Sequence, residues 1–288
     1  MTDQAASLRQ LARPHTGALP PMFALTGARR SGVSSLCAGL AAAAALAGQR
    51  PLLLDHQNGQ TLSRLAGVPA SATLGGLRVS RGGLTDLMVA SRHDVTLVNL
   101  AASPDERSRL SERIWQRLGS EFSALEKDCG VTLIDAPDPA LDPVPLLIAD
   151  NLVLVITPQP EAIMRGYACM KRLATDFGRR RFNVLVNRVH GQDEAHAAFG
   201  RLSSVAGDYL GVSMRWVGFV PEDAAVRKSE ALRRPVVEAF PGSEAALAFA
   251  QLAAMLPLWH APDSGHTRTS YLEQLHETGK ALAVPTER

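Results

Sequence analysis

The stretch "TGARRSGVSSL", Thr26 to Leu36, fixes how the rest of the chain is read. It follows an apolar run, Met22 to Leu25, and opens an alanine-rich segment with helical spacing. A glycine-bearing turn between a buried strand and a helix brings backbone N–H groups and the positive end of the helix dipole to one point, where a phosphate can sit. Gly27 and Gly32 stand at the spacing of G-x-x-x-x-G-K-[ST], and Ser34 holds the hydroxyl position. The lysine position is Val33, so the stretch reads as a phosphate loop without its cation.

Outward from this loop, short apolar runs recur at 22–26, 51–55, 95–100, 131–135, 151–157, 182–187 and 214–220. Helical spacing fills 34–47, 104–127, 161–177 and 194–209 between them. Continuous apolar strands separated by helices predict a doubly wound α/β fold, a mostly parallel sheet with helices on both faces, whose ligands bind at the carboxyl ends of the strands. Residues 56–94 show no clear period. The expected organisation is a leader over 1–20, a nucleotide-binding domain over 21–257 and a polar tail over 258–288 with a short helix pattern from Tyr271 to Leu282.

Thirty Lys and Arg against 28 Asp and Glu leave a net charge of +2, too small to imply a specific nucleic-acid partner. The run Arg179-Arg180-Arg181 reads as solvated surface. Three scattered cysteines, Cys37, Cys129 and Cys169, suit buried thiols in a reducing compartment. The N-terminus lacks the pattern of a secretory signal, and Ala41 to Ala45 stops well short of the roughly 20 residues of a membrane span. A cytoplasmic protein is expected.

Two acidic residues close apolar strands, Asp55 after PLLL and Asp135 after VTLI. Carboxylates there can hold a magnesium ion together with Ser34, beside the terminal phosphate of ATP. Asn187, ending FNVLVN, can meet an adenine edge.

These residues, in this order, resemble the MinD/ParA group of P-loop ATPases. The group's motif K-G-G-x-G-K-[ST] falls without gaps on Ala28-Arg29-Arg30-Ser31-Gly32-Val33-Ser34. The stretch "ADNLVLVITPQPEAIMRGYACMKRL", from Ala149, is similar to the group's strand, T-P-x-P turn and following helix. The stretch from Leu210, "LGVSMRWVGFVPEDAAVRKSEALRRPVVEAFPGSEAA", matches a G-x-V-P-x-D-x-x-V-R pattern followed by R-x-P-V-x-x-x-x-P-x-S. Together with the leader "DQAASLRQL", they give the chain a resemblance to the FlhG (FleN) family, regulators of flagellar number, over residues 3 to 256.

The resemblance implies a nucleotide site built from Gly27, Gly32, Ser34, Asp55, Asp135 and Asn187, with ATP and magnesium as its ligands. Against that pattern, the signature lysine is Ala28, the phosphate-binding lysine is Val33, and the second carboxylate after strand two is Gln57. Phosphoryl transfer depends on positioning and charge stabilisation, so these exchanges point to weak nucleotide binding without hydrolysis. Arg29 and Arg30, in place of glycines, crowd the loop or supply a phosphate contact, and an active ATPase cycling between monomer and dimer stays open on that ground. A ParA-like DNA partition role fits the near-neutral charge less well.

The resemblance further implies that Asp3, Gln4, Ala5, Leu8 and Arg9 contact an FlhF-like GTPase. A flagellar transcriptional activator or basal-body component is a second implied partner. The family often carries a membrane-targeting helix at its C-terminus, which would place the protein at the inner membrane or cell pole. Here Tyr271, Leu275 and Leu282 make a thin stripe for that purpose.

Overall fold

The computed structural model describes residues 19–77, 82–91, 94–259 and 269–283. The leader residues Asp3 to Arg9 lie outside the described residues.

Among the described residues, eight strands form one sheet: β1 (Met22–Gly27), β2 (Pro51–Asp55), β3 (Met88–Ala90), β4 (Thr96–Asn99), β5 (Val131–Asp135), β6 (Asn151–Ile156), β7 (Arg181–Val189) and β8 (Ser213–Pro221). Their order is β3-β4-β2-β5-β1-β6-β7-β8, and every pairing is parallel except that of β3 with β4. The seven expected strands are all present. The eighth, β3, lies within the segment that showed no period: three half-buried or exposed residues on an edge are too few to print an alternation.

Seven helices of two turns or more cover the sheet: α1 (Val33–Leu46), α2 (Glu112–Lys127), α3 (Pro160–Phe177), α4 (Gln192–Leu210), α5 (Ala224–Ala231), α6 (Glu244–Trp259) and α7 (Tyr271–Ala283). The helix expected over 104–127 is two. Ser103 and Glu106 close a capping box on Pro104–Ser108, and Ser111 then starts α2 afresh.

The apolar strands alternate between two cores, which is why they lack polar positions. Met22 and Ala24 face α2, α3, α4 and α7, while Phe23 and Leu25 face α1 and α6. Each fully buried side chain of this size contributes about 1.5–3 kcal/mol relative to exposure. α6 runs on past Pro257, so the packed body continues through Trp259, whose ring meets Phe23 edge-on at 6.1 Å.

α7 is docked on the same body. Tyr271, Leu272 and Leu275 are fully buried, His276 stacks on Trp115 at 4.7 Å, and only Leu282 of the expected stripe is exposed. The apolar face of this helix is therefore packed against the domain. No helix among the described residues is long and apolar enough to cross a membrane.

Candidate functional site

The parallel strands end together at the carboxyl edge of the sheet, and the loop 28–32 leaves β1 there. Ser31 N–H donates to the Ala28 carbonyl at 2.9 Å, and Gly32 takes a left-handed conformation, φ 87°, that starts α1. A Cβ on Gly32 would lie 2.4 Å from Asn187 Nδ2, and one on Gly27 would lie 2.4 Å from the Val155 carbonyl, so only glycine fits either position. Arg30 is also left-handed, φ 70°, where the family pattern has glycine. Holding an arginine so costs about 1–2 kcal/mol, and the turn keeps its shape against that cost. The side chains of Arg29 and Arg30 are exposed.

α1 begins without a capping side chain and without an acidic residue in its first turn. Its opening N–H groups are left to whatever anion approaches. Val33, at the lysine position, packs partly into the core beneath α1 and brings no charge to the loop.

Beside the loop stand the two strand-end carboxylates, which are register partners across β2 and β5 and are both fully buried. Asp55 Oδ1 accepts the Gln57 N–H at 2.8 Å, while its Oδ2 is unpartnered. Burial first, then the charge of Asp135, pushes Asp55 up to about 7, with the Gln57 N–H pulling the other way. Burial likewise pushes Asp135 up to about 6, opposed by Ser34 and Gln57. Those two side chains face Asp135 without completing a hydrogen bond of good geometry to either of its oxygens. Three orphaned carboxylate oxygens in one buried pocket are the donor set of a hard divalent cation, and Asp55, Asp135 and Ser34 fit magnesium.

Gln57 is tied down elsewhere. Its amide donates to the Ala136 carbonyl at 2.8 Å, and an amide is no proton acceptor for water. Sequence reading passed over Asn99, which ends β4 opposite Asp55, is fully buried and has an unpartnered Nδ2. Its signal was the same as that of the aspartates, a polar residue closing an apolar strand.

Asn187 braces the loop. Its Nδ2 donates to the Ser31 carbonyl at 2.8 Å and its Oδ1 accepts the Arg188 N–H at 3.0 Å, so the amide expected to read an adenine edge is already engaged. Next to it opens a cavity of about 270 Å³ lined by Gly32, Ser35, Asn187, Arg188, Glu222 and Glu230. Ser35 donates to Glu230 at 3.0 Å across its floor. Ser35 and Glu230 are further residues that spacing alone did not bring to the site.

His56 follows Asp55 directly and turns to the other face. Its Nε2 lies 2.7 Å from the Tyr271 hydroxyl of α7, and burial followed by the charge of Arg107 pushes it down to about 3, so the ring is neutral. The buried ion pair Arg107–Asp142 completes this cluster. A Tyr271→Phe substitution should cost about 1 kcal/mol, the net worth of one hydrogen bond, read as a lower urea midpoint with an unchanged slope.

A glycine-hinged loop ahead of an uncapped helix, with buried acids closing the adjacent strand β5 and β2 beyond it, defines a P-loop protein of the MinD/ParA type. Solved structures agree on the fold. The cell division ATPase MinD of Pyrococcus furiosus superposes with a TM-score of 0.62 at 20% identity, covering 82% of this chain and 97% of that one. MinD of Pyrococcus horikoshii, complexed with Mg-ADP, gives 0.60 at 18%, over 82% and 95%. The antiactivator FleN of Pseudomonas aeruginosa is 31% identical over 276 residues, which is 92% of this chain and 99% of that protein. The chain belongs to the FleN family. No family model matches it.

Proposed function

We propose that the chain is a FleN-type regulator of flagellar number and biosynthesis, acting in the cytoplasm by contact with other proteins while its ATP site binds weakly and does not hydrolyse. The observation that carries the second half is the pairing of an intact buried acid pair, Asp55 and Asp135, with a phosphate loop whose lysine positions are Ala28 and Val33. Magnesium, when bound, would supply positive charge to the phosphates. The chain's own residues orient them, through the helix terminus and the Asn187-braced loop, but leave the attacking water without an acceptor.

The name antiactivator makes a transcriptional activator the first partner to test. The leader residues Asp3, Gln4, Ala5, Leu8 and Arg9 are proposed as the contact with an FlhF-like GTPase. GTP hydrolysis by that enzyme should rise on adding a peptide of residues 1–15 and should not rise when Gln4 and Arg9 are changed.

One observation favours the other reading, an active ATPase. A cavity of about 460 Å³ beside Ala28 and Arg29 is lined by Arg165, Lys171 and Arg172 against Asp138 and Asp176, and with Arg172 paired to Asp176 at 3.8 Å it leaves Arg165 and Lys171 as cations on the side of the loop where a lysine is missing. Titration with a fluorescent ATP analogue plus phosphate release separates the two. The proposal expects weak binding and no turnover; micromolar magnesium-dependent binding with turnover that Asp135→Ala abolishes would establish the ATPase.

A further inference from the structure

The arginine run that reads as solvated surface in the sequence is exposed at Arg180 and Arg181 and half-buried at Arg179, and it also lines a cavity. α3 ends on left-handed Gly178, φ 70°, and the Arg179 N–H turns back to the Leu173 carbonyl at 2.9 Å. This hinge delivers Arg179, Arg180 and Arg181 to the amino ends of β6, β7 and β8, the edge of the sheet opposite the nucleotide site. Arg215 joins them from β8, where it is the register partner of Asn183 on β7. The cavity they enclose measures about 310 Å³ and has Asp150 as its one acidic lining residue.

Three of the four guanidinium groups are fixed by backbone carbonyls. Arg180 donates to Leu210 O at 3.0 Å and Arg215 to Leu258 O at 2.9 Å, while Arg179 donates to the carbonyls of Ala149 and Asp150. Each group has five N–H donors, so most remain for another partner. Arg179 Nε has no acceptor among the described residues, and the carboxylate of Asp150 acts on Arg179 by its charge. Arg180, Arg181 and Arg215 are exposed and Arg179 is half-buried beside Asp150, so the four are solvated while together they leave a net positive, concave surface that an anion can bridge.

We propose that this cavity binds a compact, phosphate-rich small molecule, at a site separate from the P-loop and independent of whether that loop binds ATP. The small volume and the four arginines that line it favour such a ligand over a flat lipid surface or a nucleic-acid backbone. Pairing of a planar guanidinium with phosphate oxygens in two parallel hydrogen bonds supplies both affinity and orientation.

The test is isothermal titration of the full chain with pyrophosphate. Saturable binding stronger than about 1 mM is expected, weakened about tenfold by Arg181→Gln, whose exposed side chain makes no hydrogen bond among the described residues, and further by Arg215→Gln. The Arg29→Gln, Arg30→Gln double variant should bind as the parent does. No binding by the parent, or affinity lost in that double variant but kept in Arg181→Gln, would overturn the proposal. So would capture by anionic phospholipid vesicles without any binding of soluble pyrophosphate.

Discussion

An Asp55→Asn variant is expected to be more stable than the parent, by roughly 3 kcal/mol at pH 8, although it removes a residue of the site. Asp55 titrates near 3.8 in the unfolded chain and at about 7 in the fold, so above pH 7 the fold holds a buried charge that the unfolded chain exposes to water. A carboxyl group with a raised pKa favours the fold in its protonated form. Its penalty is therefore full at high pH and is relieved as pH falls through the folded value. Asp135, raised to about 6, adds in the same direction at slightly lower pH.

His56 acts oppositely. Its pKa is lowered to about 3, so below its unfolded value of 6.5 the unfolded chain gains a proton that the fold refuses. His56 already offsets about 0.4 kcal/mol at pH 6.5, so of the acid pair's gain of about 1 kcal/mol between pH 8.5 and 6.5 the parent should show about 0.5 kcal/mol. Urea midpoints at those two pH values check this. The parent should also be stabilised by magnesium at pH 8 and Asp55→Asn should not, by mass action on a site that binds only the fold. A variant less stable than the parent, or a parent indifferent to pH in this window, would mean that the acid pair is already satisfied and that the metal reading is wrong.

Stability lost at a buried acid pair is what a binding site looks like before its ligand arrives. The strands around it were legible because each is a continuous apolar run filling two cores. Asp55 and Asp135 were legible because they break those runs at the same end. What spacing could not show is that, among the described residues, three of their four oxygens lack a completed hydrogen bond, since partners come from other strands and loops. Asn99 carried the same signal and was missed beside two stronger acids. The segment 56–94 stayed unreadable because its elements, such as Thr61–Leu65 and β3, are too short to repeat a period more than once. The docking of α7 was hidden for another reason: His56 and Tyr271 lie 215 residues apart, and nothing local in either marks the other. The arginine run reads as surface, and Arg180 and Arg181 are exposed; what composition could not show is that the hinge at Gly178 gathers the run around a cavity.

Val33→Lys is the second large effect and bears on the loop itself. Val33 is half-buried at the first position of α1, so the aliphatic stem of a lysine can replace much of its packing while the ammonium group reaches the loop's mouth. A charge-assisted bond to a phosphate is worth roughly 1.5–3 kcal/mol, which predicts an ATP-analogue affinity raised by roughly 10- to 100-fold. Phosphate release should stay at background all the same. Gln57 is still an amide fastened to the Ala136 carbonyl, in no state to accept a proton from water. The two readouts divide the causes. Unchanged affinity in Val33→Lys would show that the loop already has its cation, with Arg29 or Arg30 as the source, and the Arg29→Gln, Arg30→Gln double variant should then lose binding. Turnover restored by the single substitution would show instead that charge alone was missing and that Gln57 does not hold the site silent.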